Sequence, residues 1–544
     1  MTHAAFPAAE SADIALAYHA RTKHRPERYA AGPETLDWDA QPNPFREFEG
    51  CARIALSLGT SSISTSLADI YAPGSVQPSP LSIASVGVLL ELSMGLSAWK
   101  EYGPDRWALR CNPSSGNLHP TEAYVVSRAI PGLENGLYHY QSKDHVLEQR
   151  CRSGAAPADA GQQPCLWIGL ASVHWREAWK YGERAFRYCQ LDVGHALGAL
   201  RYAAGTLGWR ARAVENFGSA ELAALMGLDR AEEFSGVEHE ECDLLIAIDP
   251  YPENDQSCED DRAPGAWDSE STQWAGRANL LDPRPIYHWP VINQVSLATR
   301  GTFTGNEAEP PKYPPLLEPS KALAASIILN RRSAQRFNSK YTMSADIFYR
   351  MLDCLLVRPV APWDIWTYSP RLHLIIFIHR VEGMEPGLYL LPRHPQAIAA
   401  LKGALRPDFL WQRAEGAPDH LPLVKLMPAD CRTVAKTVSC HQAIASDGCF
   451  SLGMLSEFEA IVKSDPWRYR QLHWEAGLLG HVLYLEAESA GLRGTGIGCY
   501  FDDLLHNLIG LKTAQFQSLY HFTVGFPLTD ERIMTLPAYP GRLG

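Results

Sequence analysis

The segment RYCQLDVGHALGALRYAAGTLGW, from Arg187 to Trp209, aligns without a gap with RQLHWEAGLLGHVLYLEAESAGL, from Arg470 to Leu492. Both segments have apolar residues at helical spacing. Each also has a glycine near its carboxyl end, where helices commonly finish in a left-handed residue. The pair therefore predicts two long, related helices within a chain of 544 residues.

Three further matches follow the same order along the chain. PGLENGLYHY, from Pro131, matches EGMEPGLYLL, from Glu382, and a β-rich run precedes each, which predicts strand, turn, strand. The segments LSIASVGVLLELSMGL and MSADIFYRMLDCLLV open the two copies, and a shorter helical segment ending in MGL or IGL closes each repeat. Glycine turns and amphipathic helices do recur by chance, but four matches in one order favour a duplication. The sequence thus predicts two homologous α+β domains.

Composition changes between the two copies. YPENDQSCEDDRAPGAW is acidic and EPPKYPPLLEP is rich in proline, and neither has a sustained apolar period. We interpret this region as a linker that packs along the surface. The predicted organisation is a leader segment at 1–80, a first domain at 81–250, the linker at 251–319 and a second domain at 320–544.

The overall composition excludes several classes of protein. Apolar residues make up 46% and charged residues 20% of the chain, as in globular proteins. The net charge is -12 with scattered basic residues, which argues against nucleic acid as a partner. No apolar stretch is long enough to span a membrane and no signal peptide is evident, so we expect a cytoplasmic protein. The 12 cysteines contain no C-x-x-C pair, which predicts reduced, mostly buried thiols and no metal site.

Two polar segments each occur in only one copy. The second copy contains ILNRRSAQRFNSKYTMSADIF, whereas the corresponding part of the first copy has no arginine. The first copy contains RCNPSSGNLHPTEAYVV, and its counterpart lacks the Ser, Gly and Asn residues. RRS concentrates positive charge and a hydroxyl, as a phosphate monoester requires, although it could also be an ordinary helix start. PSSGN offers hydroxyls, an amide and a glycine that admits a ligand to the backbone, although alone it is more often merely a turn.

At these motifs the sequence resembles the nitroreductase superfamily, and within it the SagB-type, thiazole/oxazole-forming (ThcOx-like) dehydrogenases. The resemblance covers roughly residues 80–250 and 320–535. It implies two α-β-α sandwich domains that are fused into an intramolecular pseudo-dimer, with FMN bound between them. Because the two polar segments are complementary, it also implies one complete flavin site per chain.

The resemblance also implies the residues that hold the cofactor. An RRS segment typically binds the ribityl phosphate, a PSSxN segment touches the flavin, and a glycine loop approaches flavin N5. Gln335 stands where the family often has a basic residue, and a downstream arginine helps neutralise the phosphate. Helix-capping glycines and a surface arginine are the alternatives for the last two features. The implied cofactor-binding residues are Arg331, Arg332, Ser333, Gln335, Pro113, Ser114, Ser115, Asn117, Gly496, Ile497, Gly498 and Arg532.

One segment, WKYGERAFRYCQLDVGH, resembles the Lys-Tyr stretch that is implicated in deprotonation in SagB-type azoline dehydrogenases. It implies Lys180 and Tyr181 as catalytic residues. Either group needs a lowered pKa to act as a base near neutral pH. The alternative is an exposed helix start with an i,i+4 pair of Glu183 and Arg187.

These features leave three functions open. The first is an FMN-dependent dehydrogenase or oxidase, with azoline-to-azole oxidation in a modified peptide as the expected reaction. The second is an NAD(P)H-dependent reductase of nitroaromatics or quinones, and the third is a flavin-binding scaffold without catalysis. The expected partners are a small-molecule or peptide substrate and peptide-modifying enzymes, with neither nucleic acid nor a membrane involved.

Overall fold

The computed structural model describes residues 6–153, 163–251, 264–268, 271–304 and 312–542. The helices within these residues are α1 (Ala8–Arg21), α2 (Leu67–Ile70), α3 (Ile83–Ser93), α4 (His174–Tyr181), α5 (Ala185–Thr206), α6 (Ser219–Leu225), α7 (Pro290–Ala298), α8 (Ala324–Asn330), α9 (Ala345–Asp353), α10 (Ala397–Ala404), α11 (Arg432–Val438), α12 (Ile444–Asp447), α13 (Glu459–Ser464), α14 (Arg468–Ser489) and α15 (Asp502–Ile509).

The strands within the same residues are β1 (Phe48–Glu49), β2 (Ala52–Ala55), β3 (Leu96–Tyr102), β4 (Asp105–Arg110), β5 (Thr121–Arg128), β6 (Gly136–Gln141), β7 (Val146–Arg152), β8 (Cys165–Ser172), β9 (Arg210–Ala213), β10 (Phe217–Gly218), β11 (Glu241–Asp249), β12 (Gln273–Trp274), β13 (Arg277–Ala278), β14 (Thr302–Phe303), β15 (Leu372–Ile378), β16 (Gly387–Leu391), β17 (Gln412–Arg413), β18 (Val424–Pro428), β19 (Phe450–Glu457), β20 (Arg493–Ile497), β21 (Phe516–Gly525) and β22 (Met534–Leu536).

Two large sheets repeat one strand order. The first sheet runs β12-β7-β6-β5-β8-β11-β9, with β2 added on β7, and the second runs β17-β18-β16-β15-β19-β21-β20. Their central strands are almost wholly buried and pair antiparallel. Each predicted strand–turn–strand unit is present, as β5–β6 and as β15–β16. The predicted duplication of an α+β unit is therefore confirmed.

The repeat extends to individual residues at the sheet edge. Arg210 in β9 pairs with Asp249, and Arg493 in β20 pairs with Gly525. Three residues later, Ala213 and Gly496 pair with positions that are three residues earlier in β11 and β21. The ungapped match of the long helices therefore continues through the strands that follow them, and positions in the two units can be compared one by one.

The two predicted long helices, α5 and α14, lie against each other at the interface between the units, and nearly all of their residues are buried. A Cβ on Gly194 would lie 2.2 Å from the carbonyl oxygen of Trp474, and a Cβ on Gly477 would lie 2.1 Å from that of Leu191. Only glycine permits such an approach of two backbones. The reciprocal contact places α5 and α14 about an approximate two-fold axis, as an intramolecular pseudo-dimer requires.

Segments outside the two sheets connect the units. Helix α1 packs against α7 and α13, and β2 adds to the first sheet, although both α1 and β2 belong to the predicted leader. At the other end of the chain β22 pairs with β3 and so joins the first unit. In the described part of the chain, no helix is both long and apolar enough to cross a membrane.

Candidate functional site

A cavity of about 570 Å³ opens between the two units. The first unit lines it with residues 112–117 and Tyr181, and the second unit lines it with residues 331–335 and 495–499. The volume falls within the range of small-molecule and cofactor sites. Neither unit forms the cavity alone, so a ligand bound here contacts both copies of the repeat.

The structure brings most of the predicted cofactor-binding residues to this cavity. Those that line it are Arg331, Arg332, Ser333, Gln335, Pro113, Ser114, Ser115, Asn117, Gly496, Ile497 and Gly498. Arg532 lies outside the wall: its side chain is 71% exposed and pairs with Asp530 at 2.6 Å. The neighbouring carboxylate holds this guanidinium at the surface.

Arg331 and Arg332 form a cationic end of the cavity. In the described part of the chain neither guanidinium lies within ion-pair distance of a carboxylate, and Nε of the buried Arg331 has no hydrogen-bond partner. Burial lowers the pKa of both residues, and together with the neighbouring Arg331 charge it brings that of Arg332 to about 10. Glu488, which pairs with the nearby Arg493 at 3.7 Å, offsets only part of this positive charge, so this end of the cavity favours an anion.

Two further cations at this end were missed in the sequence. Lys100 in β3 and Arg493 in β20 line the same cavity. Burial, followed by the charges of Arg332 and Arg493, lowers the pKa of Lys100. Arg493 stands three residues before Gly496 of the glycine loop, so its charge was visible in the sequence, whereas Lys100 reaches the cavity only through the packing of β3. The anion end thus combines cations from both units.

The glycine segment forms another part of the wall. The amide N–H of Gly496 donates to the Tyr484 hydroxyl at 2.9 Å, and that hydroxyl shares a 2.8 Å hydrogen bond with Ser333. A Cβ on Gly496 would lie 1.8 Å from the Tyr520 hydroxyl, and one on Gly498 would lie 2.3 Å from the Tyr188 ring. Tyrosines that also line the cavity occupy the space that side chains at these two positions would need, so both positions present only backbone to the cavity.

The PSSGN segment is a tight turn that Asp192 holds in place. Gly116 and Asn117 both have φ near +60°. The amide N–H and hydroxyl of Ser115 donate to the Asp192 carboxylate, each at 2.9 Å. A Cβ on Gly116 would lie 2.4 Å from the Tyr181 hydroxyl. Helix α5 therefore holds this turn through Asp192, and Tyr181 packs against the turn at Gly116.

Asp192 has no cationic partner within ion-pair distance in the described residues. Burial raises its pKa to about 7, although hydrogen bonds from Ser114 and Ser115 oppose the rise. Glu177 in α4 is also buried, and neither of its carboxylate oxygens has a hydrogen-bond partner. Burial and the nearby Asp192 raise the pKa of Glu177 well above its ordinary value. No sequence motif marks these two acidic residues, because each lies within an otherwise ordinary helical pattern.

The two predicted catalytic residues lie at different positions relative to the cavity wall. Tyr181 lines the cavity, and burial raises the pKa of its phenol well above the ordinary value, so it keeps its proton at neutral pH. Lys180 directs its ammonium towards the rings of Trp38 and Tyr181, at 5.2 Å and 5.3 Å. Burial lowers the pKa of Lys180. Of the two, only Tyr181 lines the cavity, and its raised pKa makes it a hydrogen-bond donor there.

The two histidines of the long helices lie deep in the interface. His195 and His481 are buried, with ring centroids 6.2 Å apart, and burial lowers the pKa of both. His195 lines the cavity and contacts the Tyr520 hydroxyl at 3.1 Å. Among the described residues no group of three His, Cys, Asp or Glu side chains is arranged to hold a metal ion.

Comparison with known proteins identifies the fold. No family model matches the chain. A solved structure from Anabaena variabilis, named as a nitroreductase, superposes with a TM-score of 0.66 at 22% identity and covers 95% of this chain and 99% of that one. The chain therefore has a nitroreductase-like fold in which two such units are joined.

Two curated relatives match parts of the sequence. A protein of Methanocaldococcus jannaschii, named as a nitroreductase, is 29% identical over 139 residues, which is 24% of this chain and 66% of that protein. The trifolitoxin-processing protein TfxB of Rhizobium leguminosarum bv. trifolii is 26% identical over 194 residues, or 33% of this chain and 47% of that protein. The matches thus span less than two thirds of either relative.

Proposed function

We propose that the chain is an FMN-dependent oxidoreductase that binds one flavin between its two units and moves hydride between the flavin and an organic substrate. The observation that carries this proposal is the convergence of 331–335 from one unit and 112–117 from the other on one cavity. Each segment occurs in one copy of the repeat only. A single composite site accounts for both losses.

The cationic end fits the phosphate of FMN. Within the described residues, Arg331 and Arg332 have no carboxylate at ion-pair distance, and the buried Nε of Arg331 is an unused donor. A phosphate dianion would satisfy that donor and offset the charge of both side chains. Ser333 and Lys100 would donate further hydrogen bonds from the same wall.

The rest of the wall fits an aromatic ring system. The backbone of 496–498 faces the cavity without side chains at two of its three positions, which admits a flat ring to hydrogen-bonding distance. The 112–117 turn, fixed by Asp192, would hold the opposite part of the cofactor. When bound, the flavin supplies the hydride chemistry, and the protein supplies position and electrostatics.

Lys180 and Tyr181 would manage the substrate protons. A lysine whose pKa is lowered by burial can accept a proton from a substrate carbon or nitrogen nearer to neutral pH. Tyr181, held protonated, would donate a hydrogen bond to the substrate or the flavin. These two roles together suit the oxidation of an azoline ring to an azole in a modified peptide. The match to a trifolitoxin-processing protein supports a peptide substrate and peptide-modifying partner enzymes.

A second candidate is an NAD(P)H-dependent reductase, which the match to a protein named as a nitroreductase favours. Anaerobic mixing of the FMN-loaded chain with an azoline-containing peptide, and separately with NADH or NADPH, distinguishes the candidates. Bleaching of the flavin by the azoline supports the dehydrogenase, and rapid bleaching by NAD(P)H supports the reductase. Bound flavin that no donor reduces would leave a scaffold.

The phosphate site is tested by titrating the chain with FMN and with riboflavin. Arg331→Ala should weaken FMN binding about 10- to 100-fold, since a hydrogen bond to a charged group contributes about 1.5–3 kcal/mol. It should leave riboflavin binding nearly unchanged. Arg432→Ala is the matched control, because Arg432 is an exposed arginine paired with Asp430. Equal affinities of the unaltered chain for FMN and riboflavin would contradict the phosphate site.

A further inference from the structure

Two cysteines meet at the rim of the cavity. Cys499 lines the cavity directly after β20, and Cys440 lies in the loop that follows α11. Both side chains are partly exposed, whereas most cysteines in the described part of the chain are buried. Each thiol shifts the pKa of the other, that of Cys499 downwards and that of Cys440 upwards, so the two side chains lie close together. Two partly exposed cysteines from separate segments of the second unit are therefore near neighbours.

A histidine from the N-terminal segment completes the cluster. His24 forms a backbone bridge with Phe501, and its side chain hydrogen-bonds to Cys499. Nδ1 of His24 accepts from the amide N–H of Ala30 at 3.0 Å. The neutral ring therefore carries its proton on Nε2, which can donate to the sulfur of Cys499. Burial lowers the pKa of His24, so the neutral ring predominates at neutral pH.

Charges around the cluster favour a thiolate at one position. Arg184 donates to the carbonyl oxygen of Gly498, the residue before Cys499, at 3.2 Å, and Asp502 holds the same guanidinium. The hydrogen bond from Cys440, then His24 and the Arg184 charge, lower the pKa of Cys499, although burial opposes them. The same contact and burial raise the pKa of Cys440. The surroundings of the cluster thus favour the thiolate at Cys499 and the thiol at Cys440.

We propose that Cys499 and Cys440 form a thiol–disulfide exchange centre that reacts with low-molecular-weight disulfides. The Cys499 thiolate attacks one sulfur of the incoming disulfide, and a mixed disulfide forms as the first small thiolate leaves. Cys440 then loses its proton to solvent and attacks the sulfur of Cys499, which expels the second small thiolate. The protein dithiol is oxidised by two electrons and the small disulfide is reduced to two thiols.

The resulting bond would join two segments of the cavity wall. The side-chain amide of Gln442, two residues after Cys440, already donates to the carbonyl oxygen of Cys499 at 2.9 Å. Gln442 and Cys499 both line the cavity. The exchange reaction itself needs no flavin, so it stands or falls independently of the proposed oxidoreductase activity.

The test uses the full-length chain and dithiobis(nitrobenzoate), a disulfide that releases a coloured thiolate. Cys258, which lies outside the described residues, is replaced by serine in every sample. We expect a fast release of two thiolates per chain at pH 6.5 with no label retained. Cys440→Ser should release one thiolate in this phase and keep one label, and Cys499→Ser should lose the phase. Cys51→Ser is the control, since burial raises the pKa of that partly exposed thiol to about 11.

The expected rate difference follows from ionisation. At pH 6.5 Cys499 should react at least about tenfold faster than Cys51 because a larger fraction of it is thiolate. Labels retained at both Cys440 and Cys499, or rates no higher than that of Cys51, would overturn the proposal. If a serine variant fails to fold, the unaltered chain is incubated with glutathione disulfide. A 440–499 crosslinked peptide, lighter by two hydrogens, then supports the centre, and its absence refutes it.

Discussion

The cavity and its pseudo-symmetric counterpart differ most in how their charges are neutralised. In the cavity, Asp192 holds the 112–117 turn through Ser115 and has no cationic partner among the residues that the structure describes. At the aligned position of α14, Glu475 accepts from the backbone amide of Arg371 at 3.0 Å and also pairs with the buried Arg393. In the first unit this position holds an acid without an ion-pair partner in the described residues, beside a turn that lines the cavity, and in the second unit it forms a buried ion pair.

Side-chain contacts also bridge the segment of the first unit that corresponds to the glycine loop. Glu215 aligns with Gly498, and its carboxylate accepts from the hydroxyl of Thr367 in the segment that replaces the PSSGN turn. Arg201 aligns with Tyr484 and is held by Asp364 at 2.7 Å. Side chains thus occupy or bridge the positions where the open cavity exposes backbone and unpaired cations. A duplicated fold can therefore retain one ligand site while its twin is used for stability.

The largest expected effect concerns the ion pair of Arg393 and Glu475, which lies in the counterpart of the cavity. Arg393→Met should lower the free energy of unfolding by about 3–5 kcal/mol, because it leaves Glu475 buried without its cation. Denaturant titration measures the change. A loss below about 1 kcal/mol would show that Glu475 finds another partner, and the contrast with Asp192 would then not hold.

The close approach of α5 and α14 holds both the cavity and its counterpart in place, because Asp192 and Glu475 lie on these helices. Gly477→Ala should destabilise the chain by about 3 kcal/mol, since the added Cβ meets the backbone of Leu191 at 2.1 Å. Gly403→Ala in α10 is the matched control: it has open space around the new Cβ and should be neutral or slightly stabilising. Equal thermal midpoints for the two variants would contradict the packing described.

Asp192 should make the stability of the chain depend on pH. Its folded-state pKa of about 7 lies above the unfolded value, so the unfavourable ionisation is fully present above pH 7 and disappears towards pH 4. Asp192→Asn keeps an acceptor for Ser115 and removes the titration. Relative to this variant, the unaltered chain should gain about 1–2 kcal/mol of stability between pH 8 and pH 5.5. Parallel pH profiles for the two proteins would contradict the shifted pKa.

The smallest expected effect is a stabilisation. Arg331→Met should raise the unfolding free energy of the flavin-free chain by about 1 kcal/mol, because it removes a buried charge that has no carboxylate partner. This change is opposite in sign to that expected for Arg393→Met. A clear destabilisation measured without flavin would show that Arg331 has a structural role instead.

Much of the fold could be predicted from the sequence, because the two copies are most similar in sequence where close packing restricts the choice of residue. The two 23-residue segments align without a gap since both helices must present glycine at the same crossing point. The RRS and PSSGN segments, and the glycines at 496 and 498, were likewise visible as local motifs, and the structure brings all of them to one cavity. Their roles towards a flavin remain proposals.

The rest of the site depends on contacts between distant segments. Lys100 enters the cavity by the packing of β3, and Asp192 lies within a helix whose pattern reads as ordinary core. Arg532 shows the opposite error: a carboxylate two residues earlier, Asp530, holds it at the surface, where the resemblance implied a phosphate contact. Local motifs identify candidate cofactor-binding residues. Ion pairs with neighbouring charged residues then decide which of these side chains face the cavity.

The most direct test of one open and one closed site is the number of flavins per chain. The purified chain is saturated with FMN, freed of excess, and the bound flavin is released and quantified against protein for the unaltered chain and for Arg331→Ala. The account predicts one FMN per chain, reduced strongly by the substitution. Two flavins per chain would contradict the closed counterpart, and no flavin under any loading condition would contradict the composite site.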